Sequence, residues 1–198
     1  MILRSHARPV AALVAAALVA TVAPALTGCA TAIVTVGTQV AVSAIDRRST
    51  GAQIDDETIG FKVVTTAASR WENDVHLNIT SYNGVVLLTG EAPTAQVRDE
   101  IVQLAKSTDR VRMVQNDIVI GPLADLGART NDTYITSKVK VRFVEENRFN
   151  VIYVKVVTER SVVYLMGIVS REEGAAAAQI ASTTSGVARV VKVFEYTN

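Results

Sequence analysis

Residues 84–92 read GVVLLTGEA and residues 161–169 read SVVYLMGIV, 161 − 84 = 77 positions apart. Both runs carry paired valines, a leucine and a closing glycine, so each reads as a strand of one repeated unit. The flanks repeat too. DETI (56–59) matches DTYI (132–135) at an offset of 76, which places Lys62 and Val63 on Lys138 and Val139. Further on, AKSTDRVRMVQNDIVI (105–120) matches ASTTSGVARVVKVFEY (181–196), again at 76. One inserted residue followed by one deletion is what loop variation produces.

Each unit has the same grammar. Asp56 in one copy and Asn131 or Asp132 in the other stand where they can cap a helix. Apolar positions follow at helical spacing: Ile59, Val63 and Ala67, then Ile135, Val139 and Arg142/Phe143. Two strands come next, VHLNITSY with VVLLTG and VIYVKVVT with VVYLMG, joined through NG (83–84) or ERS (159–161). A second helix is expected near Pro93 or Ser170, and a third strand near Val111 or Val187. The expected fold is α+β: two tandem αββαβ domains, each a three-stranded sheet with two helices on one face. Their expected bounds are 55–120 and 131–198, joined by a linker at 121–130. Domains this small have little room for a deep pocket.

The N-terminus has a different character. Residues 1–28 carry Arg4 and Arg8, no acid, and a long Ala-rich apolar run broken by Pro24. That pattern is a secretory signal rather than a lasting membrane span. Its end, LTGC (26–29), resembles a bacterial lipobox, with Cys29 as the residue to be acylated. An ordinary signal peptide with an incidental cysteine is the alternative. Cys29 is the single cysteine, which excludes an intramolecular disulfide. Removal of residues 1–28 leaves 198 − 28 = 170 residues with 18 basic against 19 acidic side chains. A chain so near neutrality has no global field to draw in nucleic acid. Residues 29–54 are expected to be an acylated N-terminus and tether, with Arg47 and Arg48 on a solvated linker.

Catalysis has little support in the residues. His6 leaves with the signal, so His76 is the one remaining histidine, read as a solvent-facing strand residue. A His/Cys metal cluster and a Cys–His pair are both ruled out, and the glycines form no phosphate loop. The acids of REE (171–173) suit a helix N-terminus, and Trp71 suits a core. No catalytic residue, metal or cofactor is expected, and the chain reads as a non-enzyme.

The repeat, with V-x-L-x-G on its second strand and SGVARV before its third, resembles the BON domain. Two such units behind a lipobox resemble the dual-BON-domain outer-membrane lipoproteins over nearly all of the mature chain. RSTGAQIDD (48–56), NDTYITSKV (131–139) and VYLMGIVSREE (163–173) carry the likeness most specifically. One departure is Arg110, standing where the second copy has Gly186, so that turn must change its backbone or accept strain. The resemblance implies a palmitate-bearing lipoprotein on the periplasmic face of the outer membrane, supporting envelope integrity. It also implies that the second domain's first helix contacts anionic phospholipid such as phosphatidylglycerol.

The residues of that helix fit the implication. Tyr134, Lys138, Val141 and Arg142 share a face beside the stripe of Ile135, Val139 and Phe143. Tyrosine favours the headgroup level, and Lys and Arg can lay their stems on apolar surface with charges toward phosphate. The first copy has Thr58 and Thr66 in place of Tyr134 and Arg142. The expected lipid-binding set is Tyr134, Ile135, Lys138, Val141 and Arg142. Two alternatives stay open: Tyr134 packs on the other domain, or the chain is an adaptor for the machinery that assembles outer-membrane β-barrels.

Overall fold

The computed structural model describes residues 46–72 and 74–197; the signal segment and Cys29 lie outside the described residues. The first domain runs α1 (Thr50–Trp71), β1 (His76–Tyr82), β2 (Val85–Ala92), α2 (Ala95–Lys106) and β3 (Met113–Ile120). The second runs α3 (Leu126–Glu146), β4 (Lys155–Glu159), β5 (Val162–Val169), α4 (Arg171–Ser182) and β6 (Arg189–Tyr196). The order is αββαβ twice, as the repeat implies. In each sheet the middle strand pairs antiparallel with its hairpin partner and parallel with the strand that follows the second helix. Parallel pairing requires a crossover, and α2 and α4 supply it.

The middle strands are buried on both faces, and their alternation shows what covers each. Val86, Leu88 and Ala92 of β2 pack beneath helices with Ile59, Val63 and Ile101. Val163, Leu165 and Val169 of β5 do the same with Ile135, Val139 and Phe143. The intervening residues point the other way. Val85 and Leu87 meet Tyr164 and Met166 in a third apolar cluster, completed by Tyr82 and Val193. The two sheets therefore share a core between their helix-free faces, and the two domains belong to one compact unit. Period-two geometry requires this division of one strand between two cores.

Both first helices begin earlier than their acids suggest. Ser49 caps α1 by accepting from the Ala52 N–H, and Asp125 caps α3 by accepting from the Ala128 N–H. Residues 50–54, expected in the tether, and 126–130, expected in the linker, are thus helical. Asp56 and Asp132 are not caps; they lie inside their helices and are buried. Each faces a hairpin turn whose backbone N–H groups need acceptors. The run 151–158 is also only partly strand, because Val151–Tyr153 form a 3-10 turn before β4.

The glycine that ends V-x-L-x-G has a steric reason. A Cβ on Gly167 would lie 2.1 Å from the Tyr153 carbonyl oxygen, and one on Gly90 would lie 2.0 Å from that of His76. Only glycine lets the neighbouring backbone cross so closely. Arg110 keeps the left-handed conformation of the glycine it replaces, at φ 68° against 96° for Gly186. The first domain therefore accepts strain instead of rerouting the turn, and Arg110 forms an ion pair with Asp55.

Candidate functional site

The outward face of α3 carries Tyr134, 63% exposed, and Val141, exposed one turn beyond Lys138. The Lys138 ammonium lies 5.1 Å from the Tyr134 ring centroid, within cation–π range. Lys138 also donates to the Ser185 carbonyl at 2.5 Å, which ties α3 to the turn before β6. Its counterpart in the first domain, Lys62, lies 3.8 Å from Asp109 at the same place. Part of the role of Lys138 is thus structural in both copies. Tyr134 is left largely in solvent and belongs to none of the three apolar clusters.

Two of the five expected lipid contacts sit elsewhere. Ile135 is 1% exposed and belongs to the helix–sheet core, where its spacing from Val139 and Phe143 puts it. It orients the helix and has no surface to offer a membrane. Arg142 reaches the other way, donating to the Ile180 carbonyl, to Thr183 and Thr184 Oγ1, and to Glu146. It closes the C-terminal end of α4, where free carbonyls attract a cation. The outward face is Tyr134, Lys138 and Val141, with exposed Val144 on its flank. Helix α1 has exposed apolar residues of its own, Ile54 and Phe61, the latter 69% exposed and seven positions on. Their helical spacing was visible in the sequence, but they fall off the positions equivalent to Tyr134 and Arg142.

Arg47 and Arg48 are not on a solvated linker. Arg47 makes a two-pronged pair with Glu173 at 2.6 and 2.9 Å and lies 3.8 Å over the Tyr153 ring. Arg48 pairs with Asp46 and Asp56 and lies 4.1 Å over the Tyr82 ring. Adjacent residues thus grip opposite domains. The hydrogen bond from Arg47 holds the Glu173 carboxyl below its usual value. Glu173 also completes a capping box with Ser170 at the N-terminus of α4, the place expected for REE.

His76 is half-buried and faces acids rather than water. Its Nδ1 lies 3.0 Å from Glu91 Oε2 and 4.0 Å from Glu159 Oε1, across the domain boundary. Glu91 is fully buried and Glu159 is 5% exposed. Arg160 approaches Glu91 Oε1 at 3.3 Å, and the Ala124 N–H donates to its Oε2. Burial pushes the Glu159 carboxyl up, His76 opposes this, and Glu91 adds to it. The β1–β2 hairpin pairs His76 with Glu91, but sequence spacing could not bring in Glu159, which comes from a strand of the other domain.

The model of the "BON domain" family matches residues 55–122 and 131–198. The chain belongs to the BON-domain family. The two BON matches begin at Asp55 and Asn131, each one residue before a buried aspartate that holds a hairpin turn. Arg47 and Arg48 precede both BON matches, yet they join the two BON domains. Among curated relatives, the outer membrane lipoprotein DolP of Haemophilus influenzae is 38% identical over 173 residues, covering 86% of this chain and 90% of its own. The 21 kDa hemolysin of Actinobacillus pleuropneumoniae is 32% identical over 154 residues, covering 77% and 79%. Among solved structures, CdsD of the type III secretion system of Chlamydia trachomatis matches at a TM-score of 0.29 and 12% identity, over 72% and 63% of the two chains. That last likeness is too distant to inform the BON fold.

Proposed function

We propose that this dual-BON chain is a non-enzymatic outer-membrane lipoprotein, acylated at Cys29 and facing the periplasm, that reads anionic phospholipid with the outer face of α3. The likeness to an outer-membrane lipoprotein over most of both chains supports the location. The observation that carries the lipid reading is Tyr134, an aromatic with a polar tip left in solvent beside an ammonium, on a helix whose other face is fully used. Tyr134 enters at headgroup depth, Val141 adds apolar area, and Lys138 stays near phosphate. A cation near an anionic surface contributes about 1 kcal/mol. That is too weak to hold a free protein. Acyl tethering raises the local lipid concentration to roughly millimolar or above, where so weak a contact becomes populated and orients the domain.

Vesicle co-sedimentation of residues 30–198 at roughly millimolar lipid, where so weak a contact is populated without the anchor, tests this on phosphatidylglycerol-containing and neutral vesicles. Tyr134→Ala is the decisive variant, because Lys138→Glu also breaks the Ser185 contact. Binding to anionic vesicles that Tyr134→Ala abolishes is the expected result. Equal binding to both lipids, or undiminished binding by the variant, overturns the reading.

The second reading is a protein adaptor, for instance toward the machinery that assembles outer-membrane β-barrels. It is favoured by a cleft of about 460 Å³ lined by the outer strands β1 and β4 and by one side of α3. Strands with a free edge can accept a partner's strand. Loss of a partner with lipid binding intact would place this reading first.

A further inference from the structure

We propose that His76, Glu91 and Glu159 form a site for one divalent transition-metal ion, most naturally Zn²⁺, that clamps the two domains together. The donors are one imidazole nitrogen and two carboxylates, within 4.8 Å of one another. Ligand atoms about 2.0–2.2 Å from a tetrahedral zinc stand about 3.3–3.6 Å apart. The separations of Nδ1 from its two partners, 3.0 and 4.0 Å, bracket that value.

This is not a solvated acidic patch. Both carboxylates are more than nine-tenths buried. Two buried carboxylates meet here at the boundary between the domains, and Arg160 pairs with one of them, Glu91. Arg160 and the Ala124 N–H both address Glu91. Glu159 has a weaker companion, the Thr89 hydroxyl at 3.5 Å. Burying two carboxylates side by side is costly, and a bound dication would offset that cost. The same hydrogen bonds would steady the ligating carboxylates.

Access and geometry agree with this assignment. His76 and Glu159 line the cleft between β1 and β4, which gives an ion a route in and leaves a fourth position for water. Glu91 and His76 come from the first domain and Glu159 from the second, so binding joins the two. Imidazole with carboxylates suits Zn²⁺ better than Ca²⁺ or Mg²⁺, which take oxygen ligands.

The test uses the full chain in detergent, stripped of metal by a chelator, with Zn²⁺ alone titrated by calorimetry. One equivalent should bind and raise the melting temperature, and His76→Gln and Glu159→Gln should each weaken binding at least about 10-fold. Co²⁺ is the spectroscopic arm on the unaltered chain, so a misfolded variant does not blunt the test. Visible absorption of a four-coordinate ion with nitrogen and oxygen ligands is expected. Absence of one-to-one Zn²⁺ binding by the unaltered chain, a six-coordinate Co²⁺ spectrum, or affinity unchanged in both variants would overturn the site.

Discussion

Asp56 and Asp132 occupy the same position in the two repeats, and each accepts hydrogen bonds from both backbone N–H groups of its domain's hairpin turn. Asp56 takes Asn83 and Gly84 at 2.7 and 2.9 Å; Asp132 takes Arg160 and Ser161 at 2.7 and 2.8 Å. All four turn residues have positive φ, and in the second domain neither is glycine. The carboxylate thus holds a left-handed turn that L-residues disfavour. Asp132→Ala should cost about 2–3 kcal/mol in urea unfolding, since bonds to a charged acceptor are lost in a buried place. Asp56→Ala should cost more, because Arg48 and Ser81 also lose their partner. A loss below about 0.5 kcal/mol for both would show that the turns hold themselves.

Gly167→Ala should be among the most damaging single-methyl additions. Its Cβ meets backbone, the Tyr153 carbonyl, which no rotamer change can relieve. We expect a loss above about 3 kcal/mol, or no soluble product. A melting temperature close to that of the unaltered chain would mean that β5 shifts its register freely.

The pair of Arg47 and Glu173 predicts an acid-sensitive joint. Glu173 has a lowered pKa in the fold, through the hydrogen bond from Arg47, so the unfolded chain binds its proton more readily. The contribution is therefore present above the ordinary carboxylate value and is lost as pH falls through the lowered one. A double-mutant cycle with Arg47→Ala and Glu173→Gln should give a coupling of about 1 kcal/mol at neutral pH, vanishing in acid. Equal coupling on both sides of that window would rule out the ion pair as its source.

Met166 lies fully buried in the layer between the sheets. Met166→Lys should open this layer while leaving the helix–sheet cores of Val163 and Leu165 intact. The expected result is unchanged far-ultraviolet circular dichroism, a larger radius in small-angle scattering and two melting steps in place of one. Loss of secondary structure instead would show that neither domain stands without the other.

The repeat and its periodicities were enough to read the αββαβ order, the helix stripes Ile59–Val63–Ala67 and Ile135–Val139–Phe143, and the outward place of Tyr134. These are local properties: spacing along one helix or strand decides which side chains share a face. The N-terminal bounds of α1 and α3 were not legible, because Asp56 and Asp132 look like caps until the turn they serve is in place. Arg142 looked like a membrane cation for a similar reason. Beside Glu146, its partners are Ile180, Thr183 and Thr184 at the end of α4, about 40 residues away in sequence.

The sequence by itself determined the fold of each domain, since one strand–helix pattern occurs twice and each copy can bury its own stripe. Only the tertiary structure decided what β2 and β5 do with their other face. Both strands are apolar on alternate sides, which is compatible with solvent, a partner or each other. The packing of Leu87 against Tyr164 and Met166 settles that choice. It also brings Glu159 of the second domain to His76 and Glu91, which the β1–β2 hairpin already pairs, a contact between domains that no spacing along the chain encodes.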